Sequence, residues 1–545
     1  MIDNSPTIRG PRPLHLAAAA ALVAAIAMWS PAHAAVVIRG PYLQVATSIG
    51  ITVRWRTDVA TNGRVRYGLS PTALTLSADQ TTSGTGHTVA LTGLLPDTRY
   101  YYSVGTTTQT IAGGTSAYTF KTAPVPGVSQ PTRIWVIGDS GEPGADQQDV
   151  KSAFLGWTGS RDPDVWLMLG DNAYGTGTDS EYQTAVFSAY SEVLRKVPVW
   201  PTRGNHDELH SGSDYYGIFT MPTLGQAGGV PSGTEAYYSF DHGNIHFVCL
   251  DSEGSSRSST GAMANWLRSD LAATTREWII AYWHHPPYTK GSHDSDSDSQ
   301  LEDMRQVFVP ILEDAGVDLV LTGHSHSYER SYLLDRHYGR SSTLTAGMKK
   351  DAGDGRTSTG GDGAYQKPAG LQPHEGAVYS VVGSSAKLSS GSLNHPAMVV
   401  SLYRLGSLVI DVDGRQLSAK FLDENGTVRD DFTILKQALV GLPDGRKPPR
   451  PDSARVWLRT RPNPMAQGGA SFEYSTPGGG RVTLSVYGAD GRRVAHLVDQ
   501  TEAGERGTVQ WNGRDTRGEN LPAGVYFAAL EWGGNTRVSR IVKLR

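Results

Sequence analysis

The stretch Val165-Trp166-Leu167-Met168-Leu169-Gly170-Asp171-Asn172-Ala173-Tyr174 is an unbroken apolar run that stops in Gly-Asp. Five apolar residues without alternation predict a strand buried on both faces, as in a parallel sheet covered by helices. Glycine then lets the backbone turn sharply, and polar groups follow at the strand's end, where α/β folds place their sites. The same signature occurs upstream, where 133–137 run into Gly138-Asp139. Further apolar runs at 245–250, 278–283 and 317–321, with a helical segment over 300–315, extend the same sheet pattern.

Outward from this centre the chain changes character on both sides. Residues 36–124 read as short alternating strands, at 51–55, 64–67 and 100–104, spaced by turn residues as in a β-sandwich. Leu94-Leu95-Pro96-Asp97-Thr98-Arg99-Tyr100 resembles the tyrosine corner of fibronectin type III domains, with Tyr100 at the corner. Three prolines between 123 and 131 mark a linker. A second linker, 437–453, is rich in Pro, Gly and Arg and leads to hairpin-like strands over 454–545. Residues 340–375, rich in Gly, Ser, Thr and Asp, read as a long insertion or lid.

At 545 residues the chain exceeds one ordinary core, and two to four domains are expected. The 63 glycines and 30 prolines favour turns over long helices. A net charge of -4 gives no reason to expect nucleic acid as a partner. Residues 1–34 read as a signal peptide: Arg9 and Arg12 precede an alanine-dominated apolar run, and Ala32-His33-Ala34 supplies the small residues a signal peptidase reads. That run is short for a bilayer span, and no later stretch suits one. An exported bacterial protein without integral membrane association is the expectation: periplasmic, cell-surface or extracellular. Cys249 is the single cysteine, which excludes an intramolecular disulfide. It reads as a buried small hydrophobe.

Five short motifs occur in order: Gly138-Asp139-Ser140-Gly141, Gly170-Asp171-Asn172-Ala173-Tyr174, Gly204-Asn205-His206-Asp207, Trp283-His284-His285-Pro286 and Gly323-His324-Ser325-His326. Their carboxylates, carboxamide and imidazoles are oxygen and nitrogen donors suited to first-row transition metals. Singly, each is ordinary: Gly-Asp is usually a turn, Gly-Asn-His a loop, His-x-His an incidental pair. All five in order call for one explanation.

With these motifs the chain resembles the metallophosphoesterase superfamily, and within it the purple acid phosphatases, over roughly 36–436. The superfamily usually begins Asp-x-His; here the third position is Gly141, while Tyr174 stands three residues after Asp171 in the purple acid phosphatase pattern. The resemblance implies an α/β four-layer sandwich (131–436) flanked by two β-sandwich domains, the first being the family's fibronectin-like N-terminal domain. It implies that Asp139, Tyr174 and His326 hold one metal, that Asn205, His284 and His324 hold a second, and that Asp171 bridges them. A phenol, with a pKa near ~10, binds as phenolate only to a strongly Lewis-acidic ion, which argues for Fe(III) at the first position. The second could take Fe(II), Zn(II) or Mn(II). The family's spacing His-x-Pro-x-Tyr fits His284 through Tyr288, so the resemblance implies His284 as the ligand and leaves His285 beside the metals or exposed. The implied activity is acid phosphatase, hydrolysing phosphate monoesters by attack of a metal-bound hydroxide, with His206 and His293 contacting phosphate or protonating the leaving group. A phosphodiesterase or nucleotide-cleaving enzyme on the same ligands is the alternative, and an inert adhesive protein a more distant one.

Two further signals are weaker. Asp294, Asp296 and Asp298 alternate as in a calcium loop, but Ser299 and Arg305 stand where its glycine and glutamate belong. The C-terminal stretch Trp511-Asn512-Gly513-Arg514-Asp515 resembles the Ig-like domain of flagellar hook-capping proteins and C-terminal sorting domains. That suggests outer-membrane secretion machinery as a partner.

Overall fold

Trp135, Trp166 and Phe154 show how the central region is put together: the two indoles stack at 5.2 Å and the phenyl packs on Trp135 at 4.2 Å. The indoles lie on the strands Thr132–Ile137 and Val165–Leu169, and Phe154 on the helix Ala145–Thr158, which covers that sheet face. In this computed structural model, residues 1–2, 10, 34–210, 213–437 and, with short gaps, 457–544 are described. The expected signal peptide falls almost entirely outside the described residues, as does most of the linker 437–453.

Two seven-stranded sheets form the centre. One runs Tyr365–Pro368, Val428–Gln437, Gln416–Asp423, Gly406–Asp413, Thr132–Ile137, Val165–Leu169, Val199–Thr202. The other runs Tyr238–His242, Ile245–Cys249, Trp278–Tyr282, Leu319–Thr322, Val378–Val382, Tyr328–Ser331, Met398–Leu402. The apolar runs read from sequence are the parallel strands of both, buried throughout. In the second sheet, Phe247, Ile280 and Leu321 share a core with Val136, Leu167 and Leu408 of the first. The alternate residues Val248, Ile279 and Val320 pack with Leu267, Phe308 and Leu312 of the helical segments. This is the period-2 division of a strand buried on both faces.

The helix expected over 300–315 forms with one irregularity. Ser299–Asp303 and Val309–Asp314 are α-helical, and a π turn, Met304–Phe308, joins them. Pro310, which has no N–H to donate, follows the widened turn directly. Residues 340–375 are anchored rather than a loose lid. Tyr365–Pro368 adds a strand to the first sheet, Lys367 pairs with Asp318 at 2.7 Å, and Arg356 with Asp430 at 3.0 Å.

Ahead of the centre lies a six-stranded sheet, in which the two strands expected at 51–55 and 64–67 are one, Gly50–Gly68. Its register shifts between Arg56 and Gly63, so the first half pairs with Val37–Gln44 and the second with Arg99–Gly105. The Tyr100 hydroxyl accepts the Leu95 N–H at 3.0 Å, which is the corner read from sequence. This region is continuous with the centre: Tyr42 packs on Phe187 at 4.7 Å and donates to the Ile218 carbonyl at 2.6 Å. The C-terminal region has a three-stranded and a four-stranded sheet around Phe472, Leu484, Trp511 and Leu530. No described helix is long and apolar enough to cross a membrane.

Candidate metal centre

Asp139, Asp171 and His324 each follow a glycine just past a strand, and all three have positive φ, at 52°, 51° and 65°. Such a conformation is uncommon for a residue with a side chain and persists where packing dictates it. The preceding glycines are required by close approach. A Cβ on Gly170 would stand 2.6 Å from His284 Nδ1, and one on Gly323 would stand 2.5 Å from Asp139 Oδ2. The turns that aim the donors are therefore packed against one another.

The donors converge. Tyr174 Oη lies 3.2 Å from Asp139 Oδ1 and 3.1 Å from His326 Nε2. His284 Nε2 lies 3.4 Å from Asp171 Oδ1, 3.2 Å from Asn205 Oδ1 and 3.2 Å from His324 Nδ1. The ring nitrogens facing away are committed to partners: His284 Nδ1 to the Leu169 carbonyl at 2.8 Å, His326 Nδ1 to Ser389 Oγ at 2.7 Å. The Leu169 carbonyl can only accept, so His284 Nδ1 carries the proton and Nε2 is left as a lone-pair donor toward the centre, while Ser389 orients the His326 ring.

The charge at the centre is unbalanced. Asp139 and Asp171 are 0% and 2% exposed. Among the described residues only imidazoles come within ion-pair reach of them, His326 at 3.5 Å, His284 at 3.4 Å and His206 at 4.0 Å. Two buried carboxylates without a lysine or arginine need another source of positive charge. Burial, together with the charges of Asp139 and Asp171, holds the Tyr174 phenol well above its ordinary pKa. Burial and the neighbouring imidazoles of His285, His284 and His293 hold His324 well below the ordinary histidine value, so it stays neutral and able to ligate. For His284 burial acts downward, but Asp171 and Asp139 outweigh it and leave the pKa raised. Groups able to hold a metal recur in this cluster, including Asp139, Asp171 and His284 together. The donor set therefore fits cations.

The outer residues fall into place by geometry. His206 Nδ1 donates to the Gly175 carbonyl at 2.7 Å, which leaves Nε2 on the Asp171 side. His293 stacks on His324 with centroids 3.8 Å apart, its Nδ1 3.0 Å from Asp298. His285 is buried: its Nδ1 is 2.9 Å from Ser252 Oγ and its ring 4.3 Å from His324. The calcium-like alternation is a structural turn, in which Asp296 accepts the Ser341 N–H at 2.7 Å and hydroxyl at 2.5 Å.

Three participants escaped the sequence reading. Asp207, inside a quoted motif, accepts from Tyr182 Oη, Gly204 N and Asn172 Nδ2 at 2.5, 2.8 and 2.9 Å and ties two ligand turns together. Ser389 and Lys387 come from the loop after Val378–Val382, and Lys387 Nζ stands 4.5 Å over the Tyr174 ring. Polar residues past a buried strand were the available signal, hidden by the loop's serine-rich composition.

The stretch that carries these donors at the ends of parallel strands, residues 132–328, matches the model of the calcineurin-like phosphoesterase family. Residues 39–122, ahead of that stretch, match the model of the purple acid phosphatase N-terminal domain. Purple acid phosphatase 15 of Arabidopsis thaliana is 31% identical over 281 residues, 46% of this chain and 50% of that protein. Acid phosphatase type 7 of Homo sapiens is 29% identical over 314 residues, 52% and 68% of the two chains. The chain spans only 50% and 60% of the length of purple acid phosphatases 15 and 23 of Arabidopsis thaliana. A purple acid phosphatase from yellow lupin (Lupinus luteus) seeds shares the fold, with a TM-score of 0.56 at 18% identity over 73% of this chain and 75% of that one.

Proposed function

We propose that the chain is an exported dinuclear-metal acid phosphatase acting on phosphate monoesters. The observation that carries this is the convergence of Asp139, Asp171, Tyr174, Asn205, His284, His324 and His326 around two buried carboxylates that lack a basic partner. Overall likeness alone would not carry it, since one relative, 27% identical over 275 residues, is named "Probable inactive purple acid phosphatase 1".

Asp139, Tyr174 and His326 would hold Fe(III); Asn205, His284 and His324 would hold Fe(II), Zn(II) or Mn(II); Asp171 would bridge. When bound, the two cations supply Lewis acidity toward phosphoryl oxygen and water. The chain's own contribution is orientation and proton handling. His206, fixed through Nδ1 to the Gly175 carbonyl, presents Nε2 to a phosphate oxygen or the leaving alkoxide. His293, backed by Asp298 and stacked on His324, is placed for the same duty from the opposite ring. His285 is a positioning residue, packed neutral between His284 and His324.

The finer architecture belongs to the same proposal: a four-layer catalytic domain over 131–436, with β-sandwich domains at 36–124 and 454–545. So does export by cleavage after Ala34, which N-terminal sequencing of the secreted product should show as a start at Ala35. The C-terminal domain is proposed as a sorting signal; unchanged export after deletion beyond Ser453 would rule that out.

Metal analysis with a visible spectrum, alongside turnover of an aryl phosphate monoester and the matching diester, tests the function. Two metals per chain, a tyrosinate-to-iron band lost in Tyr174→Phe, and dominant monoester turnover are expected. Dominant diester turnover would move the chain to the phosphodiesterases. Two metals without the band would overturn the ferric assignment.

A further inference from the structure

The loop that carries Tyr174 onward, Tyr174-Gly175-Thr176-Gly177-Thr178-Asp179-Ser180-Glu181, contains two glycines and ends in a single helical turn, Asp179–Tyr182. Such a segment has little conformational preference of its own. We propose that it is held in its working shape from outside the catalytic region, by the N-terminal β-sandwich acting on Asp179. The proposal rests on the reading of Tyr174 as a metal ligand, and it makes Asp179 a positioning residue for that ligand.

Two arginines of the sandwich close on this one carboxylate. Arg56 makes a fork, Nη1 to Oδ2 at 2.7 Å and Nη2 to Oδ1 at 2.8 Å. Arg39 adds Nη1 to Oδ1 at 2.8 Å and Nη2 to Oδ2 at 3.0 Å, and Nη2 also reaches the Asp179 carbonyl at 2.9 Å. The Arg39 side chain is only 3% exposed, its Nε bonds Gln183 at 2.7 Å, and its guanidinium lies 4.6 Å over the Phe187 ring. Charge-assisted forks of this type fix direction as well as distance.

From Asp179 the constraint runs back along the loop. Glu181, two residues on, accepts the N–H groups of Gly175, Thr176 and Thr178 at 3.0, 3.1 and 2.8 Å, and Thr178 caps the turn in return. The Gly175 carbonyl receives His206 Nδ1 at 2.7 Å, and the Thr176 carbonyl receives the His210 N–H at 2.8 Å. The path from the sandwich arginines to Tyr174 and His206 therefore runs through these hydrogen bonds and the short stretches of chain between them. The N-terminal sandwich thereby acts on the loop that carries Tyr174.

The test uses the full-length chain with Asp179→Asn and, separately, Arg56→Met, whose side chain is partly exposed and leaves Arg39 in place. Amide hydrogen exchange is followed by mass spectrometry on the metal-free protein, with peptides covering 245–249 and 278–282 as internal folding controls. Loss of several charge-assisted bonds should speed exchange at Gly175, Thr176 and Thr178 about tenfold or more while the controls stay unchanged. In iron-loaded protein, chelator-driven iron release should be about tenfold faster, and Arg56→Lys should restore part of both effects. Unchanged exchange at 175–178 in a variant with intact controls overturns the brace. Faster exchange with unchanged iron release overturns the positioning role. Wild-type protein that takes up no iron sinks the metal reading instead, and the exchange experiment still judges the brace.

Discussion

The Tyr182 hydroxyl donates to Asp207 Oδ1 across 2.5 Å, below the floor of the metal cluster. Asp207 also takes the N–H of Gly204 and the amide and side chain of Asn172, so one buried carboxylate fixes the turns behind Asn205 and Asp171. Asp207→Asn would put a donor where only donors converge. The expected cost is about 1–3 kcal/mol in unfolding free energy, with metal affinity weakened about 10–100-fold. Chemical denaturation and metal titration measure the two effects separately. Unchanged metal affinity would mean that Asp207 supports the fold alone.

Gly141 occupies the place where the superfamily usually has histidine, and the structure leaves no space for any side chain there. A Cβ would stand 2.5 Å from both Ala173 N and the Asn172 carbonyl carbon. Gly141 N donates to the Asp171 carbonyl at 3.0 Å, and the Gly141 carbonyl accepts from Tyr174 N at 3.1 Å, so the two ligand turns are clamped face to face. Gly141→Ala should push them apart, lower stability by about 1–3 kcal/mol and reduce metal occupancy. Metal content per folded chain checks this. Full occupancy in the alanine variant would show that the clamp yields without cost to the ligands.

The convergence was legible only because five motifs, each ordinary by itself, stand in order along the chain, and the structure brings Asp139, Asp171, His284 and His324 to one place. The helix at 300–315 was legible in the sequence, but not the π turn Met304–Phe308 within it. Composition left the order of 340–375 open. Its glycines and aspartates read as a long insertion or lid, while the contacts that anchor it, Lys367 to Asp318 and Arg356 to Asp430, join residues far apart in sequence. His285 shows the same limit. Local pattern could not tell an exposed histidine from one buried against His324, because burial is set by Ser252, 33 positions away.

His246 offers a pH test away from the metals. Both ring nitrogens face carboxylates, Nδ1 to Asp241 at 2.8 Å and Nε2 to Asp270 at 2.9 Å, so the doubly protonated ring satisfies both. Burial pulls its pKa down, but the hydrogen bonds and charges of Asp241 and Asp270 outweigh it and push the value up to about 9. A folded pKa above the unfolded one stabilises fully below the unfolded value near ~6.5 and loses that stabilisation as pH rises through the folded value. The contribution, about 3 kcal/mol at pH 6, should fade between pH 6.5 and 9. Urea unfolding at pH 6, 8 and 10 should show it, and His246→Gln should flatten that part of the profile. A wild-type profile already flat in this window would mean that the ring is neutral in the folded chain.

Arg330 and Asp430 carry the join between the two sheets. Arg330 belongs to Tyr328–Ser331 and Asp430 to Val428–Gln437, both side chains are fully buried, and the guanidinium meets both carboxylate oxygens at 2.6 and 2.9 Å. Tyr328 donates to the same carboxylate at 2.8 Å, and Arg356 of the anchored insertion adds a second cation at 3.0 Å. Removing one partner strands a buried charge, so Arg330→Met should cost about 3–5 kcal/mol. Asp430→Asn should cost less, since the amide oxygen still accepts from Tyr328 while the arginines lose their counter-charge. Arg330 stands four residues beyond His326, so loss of the pair should also loosen that side chain. Denaturation of the single and double variants separates the two roles. Strong coupling in the double-mutant cycle marks the pair as one unit, whereas additive losses would mean that each residue is held by its other neighbours.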